Sequence, residues 1–345
     1  MLKADEPHTF GFPSVSPDIT LAAGGVGAST SRNWRDRDGF GEVKPSKKQG
    51  PKPATAGTIP PIVAHCSEYA RLFMSARPFM LFCVGILIFG TEFCVGIFDR
   101  DGVTFSPIYD MFEATDIFVR VARSLACELS IWDLGFDPTV RVLTDEETKR
   151  LAGQTKYPCA VVSSGGGEPR EWCTIGFPIW TSRGRASNVW RVKEYVLGDN
   201  KLPCLRGNMM IMKTAWRSSA RTSESDIYLS IEKPNPRGMA EFECGGDVMF
   251  PGLAGFPITV RNLRNIHHAR TNDLDEPTPV LHRLILRTVG RPLWDYTSDR
   301  DLLTGFRDAL KGVCLFIAAY NYFSLPSSAQ GPLGWWNSSP RYQRR

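Results

Sequence analysis

The chain has 345 residues, of which 42% are hydrophobic and 22% are charged, and its formal net charge is +5. This length exceeds that of a typical single core and allows two modest domains. Because the 41 basic residues are spread along the chain against 36 acidic ones, the charge pattern disfavours nucleic acid as a partner.

The nine cysteines are widely spaced and never form a C-x-x-C pair. This pattern argues against both a zinc site and a disulfide framework. The N-terminal sequence MLKADEPHTFGFPS lacks the apolar segment of a signal peptide, which predicts a cytoplasmic or nuclear protein.

Three ranges describe the expected N-terminal part of the chain. Residues 1–30 lack periodicity and mix Pro, Gly, Ser and Ala, so they are predicted to be disordered. Residues 31–143 are predicted to form a small α+β unit, and residues 46–61 an internal loop of that unit.

The most apolar stretch, Pro78–Phe98, is long enough to suggest a transmembrane helix. However, Gly90-Thr91-Glu92 interrupts it, and the turn residues Asp99-Arg100-Asp101-Gly102 close it. We therefore predict a β-hairpin, with a membrane span as the less favoured alternative. Helices are predicted before it, over His65–Met74, and after it, over Asp116–Leu129.

Residues 144–172 are polar and are predicted to form a flexible connector. This connector contains three consecutive glycines in Ser163–Gly167. A phosphate-binding P-loop requires Lys and then Ser or Thr after the last glycine, whereas Glu168-Pro169 follows here. The glycines are therefore interpreted as part of a flexible loop.

Residues 173–312 show strand patterns, then a helix, then more strands and a last helix. These predicted elements are TIGFPIW, NVWRVKEYVL, NMMIMKTAW, the helix Ser223–Glu232, the strands Met239–Phe250 and Val280–Val289, and the helix Ser298–Lys311. This is the element order of a protein-kinase-like small lobe, hinge and first large-lobe helix. We predict an α+β fold in which the N-terminal unit precedes this small lobe, with an incomplete large lobe and a divergent tail, residues 313–345.

Four residues are candidates for ATP binding. Gly184 lies in a turn between strands, and Val189 follows where a base could pack; an ordinary hairpin is the simpler alternative. Lys213 ends an apolar strand, as the ATP-positioning lysine of kinases does, although a lysine facing solvent fits the same pattern. Glu224 lies in the first turn of a helix, where it either stabilises the helix dipole or pairs with Lys213. We expect Lys213 and Glu224 to face each other.

Two further segments look like catalytic motifs but lack their context. His282-Arg283 is followed by Leu284 in a strand pattern rather than by the Asp of H-R-D. Asp133-Leu134-Gly135 resembles D-F-G but precedes Lys213, which is the wrong order for a kinase. The sequence therefore predicts no catalytic residue and no metal ligand.

Segments throughout Gly41–Gly312 carry a family resemblance. They are EVK, YAR, RPFMLFCVGILIFG, IFDRDGVTFSP, LGFDPTV, NVWRV, MIMKTAW, RTSESDIY, FECGGDV, TVRNLR, PVLHRLILRTVGRPLWDYTS and DLLTGFRDALKG. In their order and content they resemble the fungal-type protein kinases of mushroom-forming fungi. The resemblance implies that Lys213 and Glu224 position ATP, and that an H-R-D loop would follow GRPL and the next helix.

The family's catalytic loop has no counterpart in residues 313–345. The resemblance therefore implies a truncated or degenerate kinase without phosphotransferase activity, serving as a binding or regulatory module. ATP and magnesium are expected to bind weakly or not at all, since Ala186-Ser187 replaces the family's Gly-Thr before NVW. Leu302, Phe306 and Leu310 would stay partly open to solvent, which favours a protein partner or self-association.

Two alternatives remain open. The chain could be a fragment or mis-spliced form of an active Ser/Thr kinase. Alternatively, the N-terminal unit could be restriction-endonuclease-like, with Glu42 on a metal and Lys44 on the attacked phosphate. The upstream acid would then be Asp36 or Asp38, in a segment whose composition is too polar for the buried strand that such a fold requires.

Overall fold

A computed structural model describes residues 15–22, 34–53, 55–153, 158–166, 170–181, 187–199, 201–231, 239–253, 255–265, 277–290 and 295–324. The strands of these residues form two sheets. The first sheet contains six strands, all between residues 19 and 110. The second contains seven strands between residues 140 and 286, which are the strands of the predicted small lobe and two that precede them.

The first sheet has the order β1-β2-β3-β4-β5, and β6 also pairs with β4. Its strands are β1 (Ile19–Ala22), β2 (Arg37–Lys44), β3 (Cys83–Phe89), β4 (Glu92–Asp99), β5 (Gly102–Phe105) and β6 (Tyr109–Asp110). β3 and β4 pair antiparallel, so the predicted hairpin is confirmed. Within the described residues, no helix is both long enough and apolar enough to span a membrane.

Two expectations for this sheet are wrong. The range 1–30, predicted to be disordered, contains β1, while residues 1–14 and 23–30 lie outside the described part of the chain. The polar segment around Asp38 forms β2, whose Gly39–Glu42 section is buried. β2 is stable there because β1 and β3 pair with it on both sides, and Gly41 lets Ile86 approach closely.

The helices of the N-terminal unit are longer or differently bounded than predicted. α1 (Pro61–Ala76) links the parallel strands β2 and β3 and buries one face against them. α2 (Thr115–Arg123) continues into a wider π-helical turn, Ser124–Glu128. Phe118 of α2 packs edge-on against Phe93, with ring centroids 5.0 Å apart, which fixes α2 on the sheet.

The second sheet is antiparallel throughout and has the order β12-β13-β11-β10-β9-β8-β7. Its strands are β7 (Val140–Val142), β8 (Ala160–Ser163), β9 (Glu171–Thr181), β10 (Asn188–Leu197), β11 (Pro203–Ser218), β12 (Phe242–Asp247) and β13 (Pro279–Leu286). The meander β9-β10-β11 and the pair β12-β13 correspond to the strands predicted for the small lobe. β7 lies inside the range 31–143 but belongs to this second sheet.

The range 144–172 is not a flexible connector. It contains α3 (Asp145–Ala152) and β8, and β9 begins at Glu171. α3 is stabilised by a capping box, in which Thr144 and Glu147 exchange side-chain and backbone hydrogen bonds, and by a left-handed Gly153 after its last turn. The capping box and Gly153 are helix signals in the sequence, but the polar composition of the segment led to its interpretation as a connector.

The remaining helices are α4 (Glu224–Ser230), α5 (Val260–Asn265) and α6 (Asp299–Ser324). α6 runs past the predicted end at Lys311 into the range 313–345, of which residues 325–345 lie outside the described part. Phe306 is 47% and Leu310 is 65% exposed, while Leu302 is partly buried. The expectation that these side chains stay partly open is confirmed.

The second sheet curls until its two ends meet. Gly165, after β8, lies against Gly246 of β12 so closely that a Cβ on Gly165 would be 2.1 Å from the Gly246 carbonyl oxygen. Arg170 reinforces this contact by binding Glu194 at 2.7 Å and Glu243 at 2.6 Å. The described part of Ser163–Gly167 is therefore packed between strands, whereas it was predicted to be a flexible loop.

A buried ion pair crosses the inside of this curled sheet. Arg283 of β13 and Asp137, in the loop before β7, form a salt bridge and are 0% and 1% exposed in their side chains. Arg283 also donates to the Thr139 hydroxyl at 2.6 Å and the Ser163 carbonyl at 3.0 Å. Asp137 accepts from the backbone and hydroxyl of Thr139 at 2.9 and 2.6 Å. The Asp137 carboxylate and both Nη atoms of Arg283 therefore have polar partners, while Arg283 Nε is buried without one among the described residues.

One hydrophobic core joins the two sheets. The largest buried cluster contains residues from both, including Phe40 of β2, Trp190 of β10 and Met212 of β11. Trp190 stacks on Phe79, with ring centroids 4.9 Å apart and planes 7° from parallel. The N-terminal unit therefore covers one face of the small-lobe sheet, and α4 packs at the other.

Replacing Asp137 by Asn should be severely destabilising. The variant leaves the Arg283 guanidinium buried without a carboxylate, and breaking a buried pair in this way costs about 3–5 kcal/mol. Urea unfolding measured by circular dichroism gives the free energy of unfolding. Asp116→Asn is the matched control, since Asp116 forms an exposed pair with Arg120, worth less than about 1 kcal/mol. Equal losses in the two variants would contradict this role for Asp137.

Candidate nucleotide site

Lys213 lies in the middle of the second sheet, on β11. Its cross-strand neighbours are Val189 on β10 and Leu284 on β13. Met212, the residue before it, is buried in the shared core, so strand alternation directs Lys213 to the opposite face. The ammonium group therefore projects from the face that the N-terminal unit does not cover.

Helix α4 packs beside this position and presents Glu224 in its first turn. Ser223 caps the helix by accepting a hydrogen bond from the Asp226 backbone at 3.0 Å. Tyr228 stacks on Phe242 of β12, with ring centroids 5.3 Å apart and planes 10° from parallel. The cap and the stacked ring together hold the start of α4 at a defined place over the sheet.

Lys213 donates a hydrogen bond to Glu224 across the gap between sheet and helix. The Lys213 Nζ atom is 2.5 Å from Glu224 Oε2, so the expectation that the two residues face each other is confirmed. Their side chains are 32% and 40% exposed, which leaves them accessible to a ligand. Their role in holding ATP stays a prediction.

The other two candidates are placed differently. Val189 is a partly buried residue directly beside Lys213 in the sheet register, where its side chain can form part of a wall for a base. Gly184 lies within residues 182–186, outside the described part of the chain. The structure therefore brings Val189, Lys213 and Glu224 together and does not describe the predicted phosphate turn.

Sequence reasoning missed the group that holds the loop before α4. Arg217, at the end of β11, donates from Nε to Asp247 Oδ1 at 2.8 Å and from Nη1 to the Arg221 carbonyl at 2.9 Å. Asp247 also contacts His282 Nδ1 at 2.8 Å. Burial would raise the pKa of Asp247, but the hydrogen bonds from His282 and Arg217 outweigh it and lower that pKa to about 2. Arg217, Asp247 and His282 lie on β11, β12 and β13, and no local sequence pattern links positions so far apart in the chain.

The two segments that resemble catalytic motifs, His282-Arg283 and Asp133-Leu134-Gly135, make hydrogen bonds and ion pairs within the fold. His282 and Arg283 are buried in β13, and their side chains bind Asp247 and Asp137 respectively. Asp133 accepts hydrogen bonds from the backbone and hydroxyl of Ser130 in a turn of the N-terminal unit. The prediction that neither segment is a catalytic motif therefore agrees with their contacts.

The nuclease-like alternative can be compared with β2 and α1. Glu42 is buried and accepts from Lys44 Nζ at 2.5 Å and from the Tyr69 hydroxyl at 3.2 Å. Asp38 instead pairs with Arg77 at 2.8 Å. Among the described residues, no three His, Cys, Asp or Glu side chains are grouped so that they could hold a metal ion. The described contacts of Glu42 are those of a compensated buried carboxylate.

The chemistry available at Lys213 is electrostatic. An ammonium group held in place by a carboxylate can bind a phosphate oxygen, so the pair fits the phosphate end of ATP. ATP would supply the transferable phosphoryl group. The described carboxylates form no cluster for magnesium, and the fit to the metal is correspondingly poor.

Comparison with known families identifies the class of protein. The chain matches the fungal protein kinase family over residues 17–321. The protein is therefore a member of the fungal protein kinase family, whose members use ATP and magnesium. The match extends beyond Gly312, where the resemblance was predicted to end. No curated protein and no solved structure matches the chain.

Asp247 should make the protein sensitive to acid. Its pKa in the folded state, about 2, is below the ordinary value of about 3.9. The stabilisation it provides is therefore complete above about pH 4 and is lost as the pH falls towards about 2.

Urea unfolding at several pH values tests this. Asp247→Asn should be less stable than wild type at about pH 7, and the difference should shrink between about pH 4 and 2.5. The exposed control Asp116→Asn should follow the wild-type profile. A constant difference for Asp247→Asn across this range would show that its carboxylate does not produce the effect.

Proposed function

We propose that the 345-residue chain binds ATP through Lys213 but does not transfer its phosphate, and that it acts as a binding or regulatory module. The observation that carries the proposal is the Lys213–Glu224 pair on the uncovered face of the small-lobe sheet. In kinases this pair orders the ATP phosphates, and it is needed but not sufficient for catalysis.

The lack of phosphate transfer is inferred from the acidic residues that follow Lys213. A kinase needs one Asp near the acceptor hydroxyl and another on the metal. After Gly290 the sequence contains four Asp residues, none preceded by His-Arg or followed by Phe-Gly: Asp295, Asp299, Asp301 and Asp308. Asp301 accepts hydrogen bonds from Thr297 at the start of α6, which supports a capping role.

The alternative function is that of an active Ser/Thr kinase of which these residues are a fragment or a mis-spliced form. Membership of the family supports this alternative. Transcript reads across the codons for Leu310–Phe323 discriminate between the two, because an active kinase requires a continuation that encodes an H-R-D loop.

We also propose a protein partner and a compartment. The exposed Leu303, Phe306 and Leu310 of α6 form an apolar face that a partner could cover. Eight described cysteines form no disulfide bond, which supports the reducing environment of the cytoplasm or nucleus.

Nucleotide affinity tests the binding part of the proposal. Lys213→Ala should weaken the binding of a fluorescent ATP analogue by about tenfold or more, since it removes a charge-assisted hydrogen bond worth about 1.5–3 kcal/mol. Lys193→Ala is the control, because Lys193 is on β10, four residues or about 13 Å along the strand from Val189. An unchanged affinity in Lys213→Ala would place the nucleotide elsewhere.

A phosphotransfer assay tests the catalytic part. With labelled ATP, magnesium and a generic protein acceptor, the wild-type chain should incorporate no more label than Lys213→Ala. The reason is that no Asp is available in the two required positions. Incorporation that depends on Lys213 would overturn the proposal, while the binding assay would still report whether Lys213 holds the nucleotide.

A further inference from the structure

A cleft of about 710 Å³ lies where α1 meets the turn between β4 and β5 and the ends of β11 and β13. This volume is typical of small-molecule sites. Its walls are partly apolar, with Val63 and Met74 of α1 facing Trp216 of β11. Arg71, Arg100 and Arg217 also line it, and we call it the arginine cleft.

Two of the three arginines have carboxylate partners. Arg71 Nη2 is 2.7 Å from Glu68 on the same helix. Arg217 binds both oxygens of Asp247. The positive charges of these two side chains are therefore compensated by the protein itself.

The acidic residues of the cleft are also compensated, and by an arginine outside its lining. Arg264 of α5 donates from Nε and Nη2 to the two oxygens of Asp99 at 2.7 and 2.9 Å. Its Nη1 lies 3.8 Å from Asp101. Asp99 therefore makes its described side-chain ion pair with Arg264 and acts on neighbouring Arg100 only through its charge.

Arg100 is the exception in this charge arrangement. Within the described part of the chain, its side chain has no hydrogen bond or ion pair, and its Nε atom is buried without a partner. Burial lowers the pKa of Arg100 to about 10, although nearby Cys83 and Asp99 act in the opposite direction. A guanidinium with a buried, unpartnered nitrogen is costly unless a polar or charged group binds it, so Arg100 is the arginine of this cleft that lacks a hydrogen-bonding partner among the described residues.

We propose that the arginine cleft binds a phosphate monoester carried on an apolar molecule, with Arg100 as the ligand of the phosphate. The planar guanidinium can bind two oxygens of one phosphate at once. The exposed hydroxyl of Ser67 lines the same cleft, and Val63, Met74 and Trp216 provide the apolar wall against which the rest of the ligand packs. This site is separate from the Lys213 site and does not depend on the proposed function.

Titration calorimetry in a zwitterionic buffer at low salt tests the proposal, with phenyl phosphate as the probe. Phenyl phosphate should bind more tightly than inorganic phosphate, because its ring packs on the apolar wall. Phenol, which lacks the phosphate, should show no binding. Equal affinity for phenyl phosphate and inorganic phosphate, or binding of phenol, would overturn the proposed ligand class.

Arg100→Met identifies the anion ligand. This variant should weaken phenyl phosphate binding by about tenfold or more. Without phosphate its melting temperature should equal or exceed that of wild type, since an unpaired buried charge has been replaced by an apolar chain. Arg120→Met on exposed α2 is the control and should keep wild-type affinity. Unchanged affinity in Arg100→Met, or a large loss of stability, would contradict the proposal.

A second pair of variants keeps Arg100 in place. Ser67→Glu adds a carboxylate inside the cleft and should also weaken phenyl phosphate binding, whereas Ala64→Glu adds the same charge on exposed α1 outside the lining and should change it little. Lys213→Ala should bind phenyl phosphate as wild type does. Equal effects of the two Glu variants, or loss of binding in Lys213→Ala, would place the phosphate outside the arginine cleft.

Discussion

The buried pair of Arg283 and Asp137 is the interaction on which the second sheet depends. Arg283 comes from β13, near one end of the sheet, and Asp137 from the loop before β7, at the other end. Burying a guanidinium and a carboxylate is costly unless each keeps polar partners, and here Asp137, Thr139 and the Ser163 carbonyl bind the two Nη atoms of Arg283, although its Nε atom is buried without a partner among the described residues. The sheet can therefore close only in the register that brings these groups together.

This pair also fixes the side chains of a segment that looks like part of H-R-D. In a catalytic loop the side chains must reach the acceptor and the metal, whereas Arg283 is directed into the sheet interior and His282 towards Asp247. Lys213, on the neighbouring strand, pairs in register with Leu284 and projects from the opposite face to Arg283. Strand alternation alone therefore places the Arg283–Asp137 ion pair on one face of the sheet and the candidate nucleotide site on the other.

Local patterns were sufficient where neighbouring residues decide the structure. The hairpin at Pro78–Phe98 was predicted because turn residues and alternation act over a few positions. For the Lys213–Glu224 pair, local patterns left a solvent-facing lysine open, and the family resemblance favoured the pairing. β2 and the closure at Gly165 could not be predicted in this way. Glu42 is tolerated in a buried strand only because Lys44 and Tyr69 bind it, and Gly165 needs its small size only because Gly246, distant in sequence, lies against it.

Arg283 and Arg100 show the same physical requirement with different outcomes. Each side chain has a buried Nε atom without a hydrogen-bond partner among the described residues, and a charge in that position needs an anion or several hydrogen-bond acceptors. Arg283 finds its anion in the chain itself, and the result is a closed sheet. Arg100 lies beside an Asp99 whose two oxygens are already held by Arg264, while its own side chain lines a cleft. Because the described chain provides Arg100 with no carboxylate of its own, an anion that enters this cleft would satisfy the guanidinium without breaking an existing ion pair.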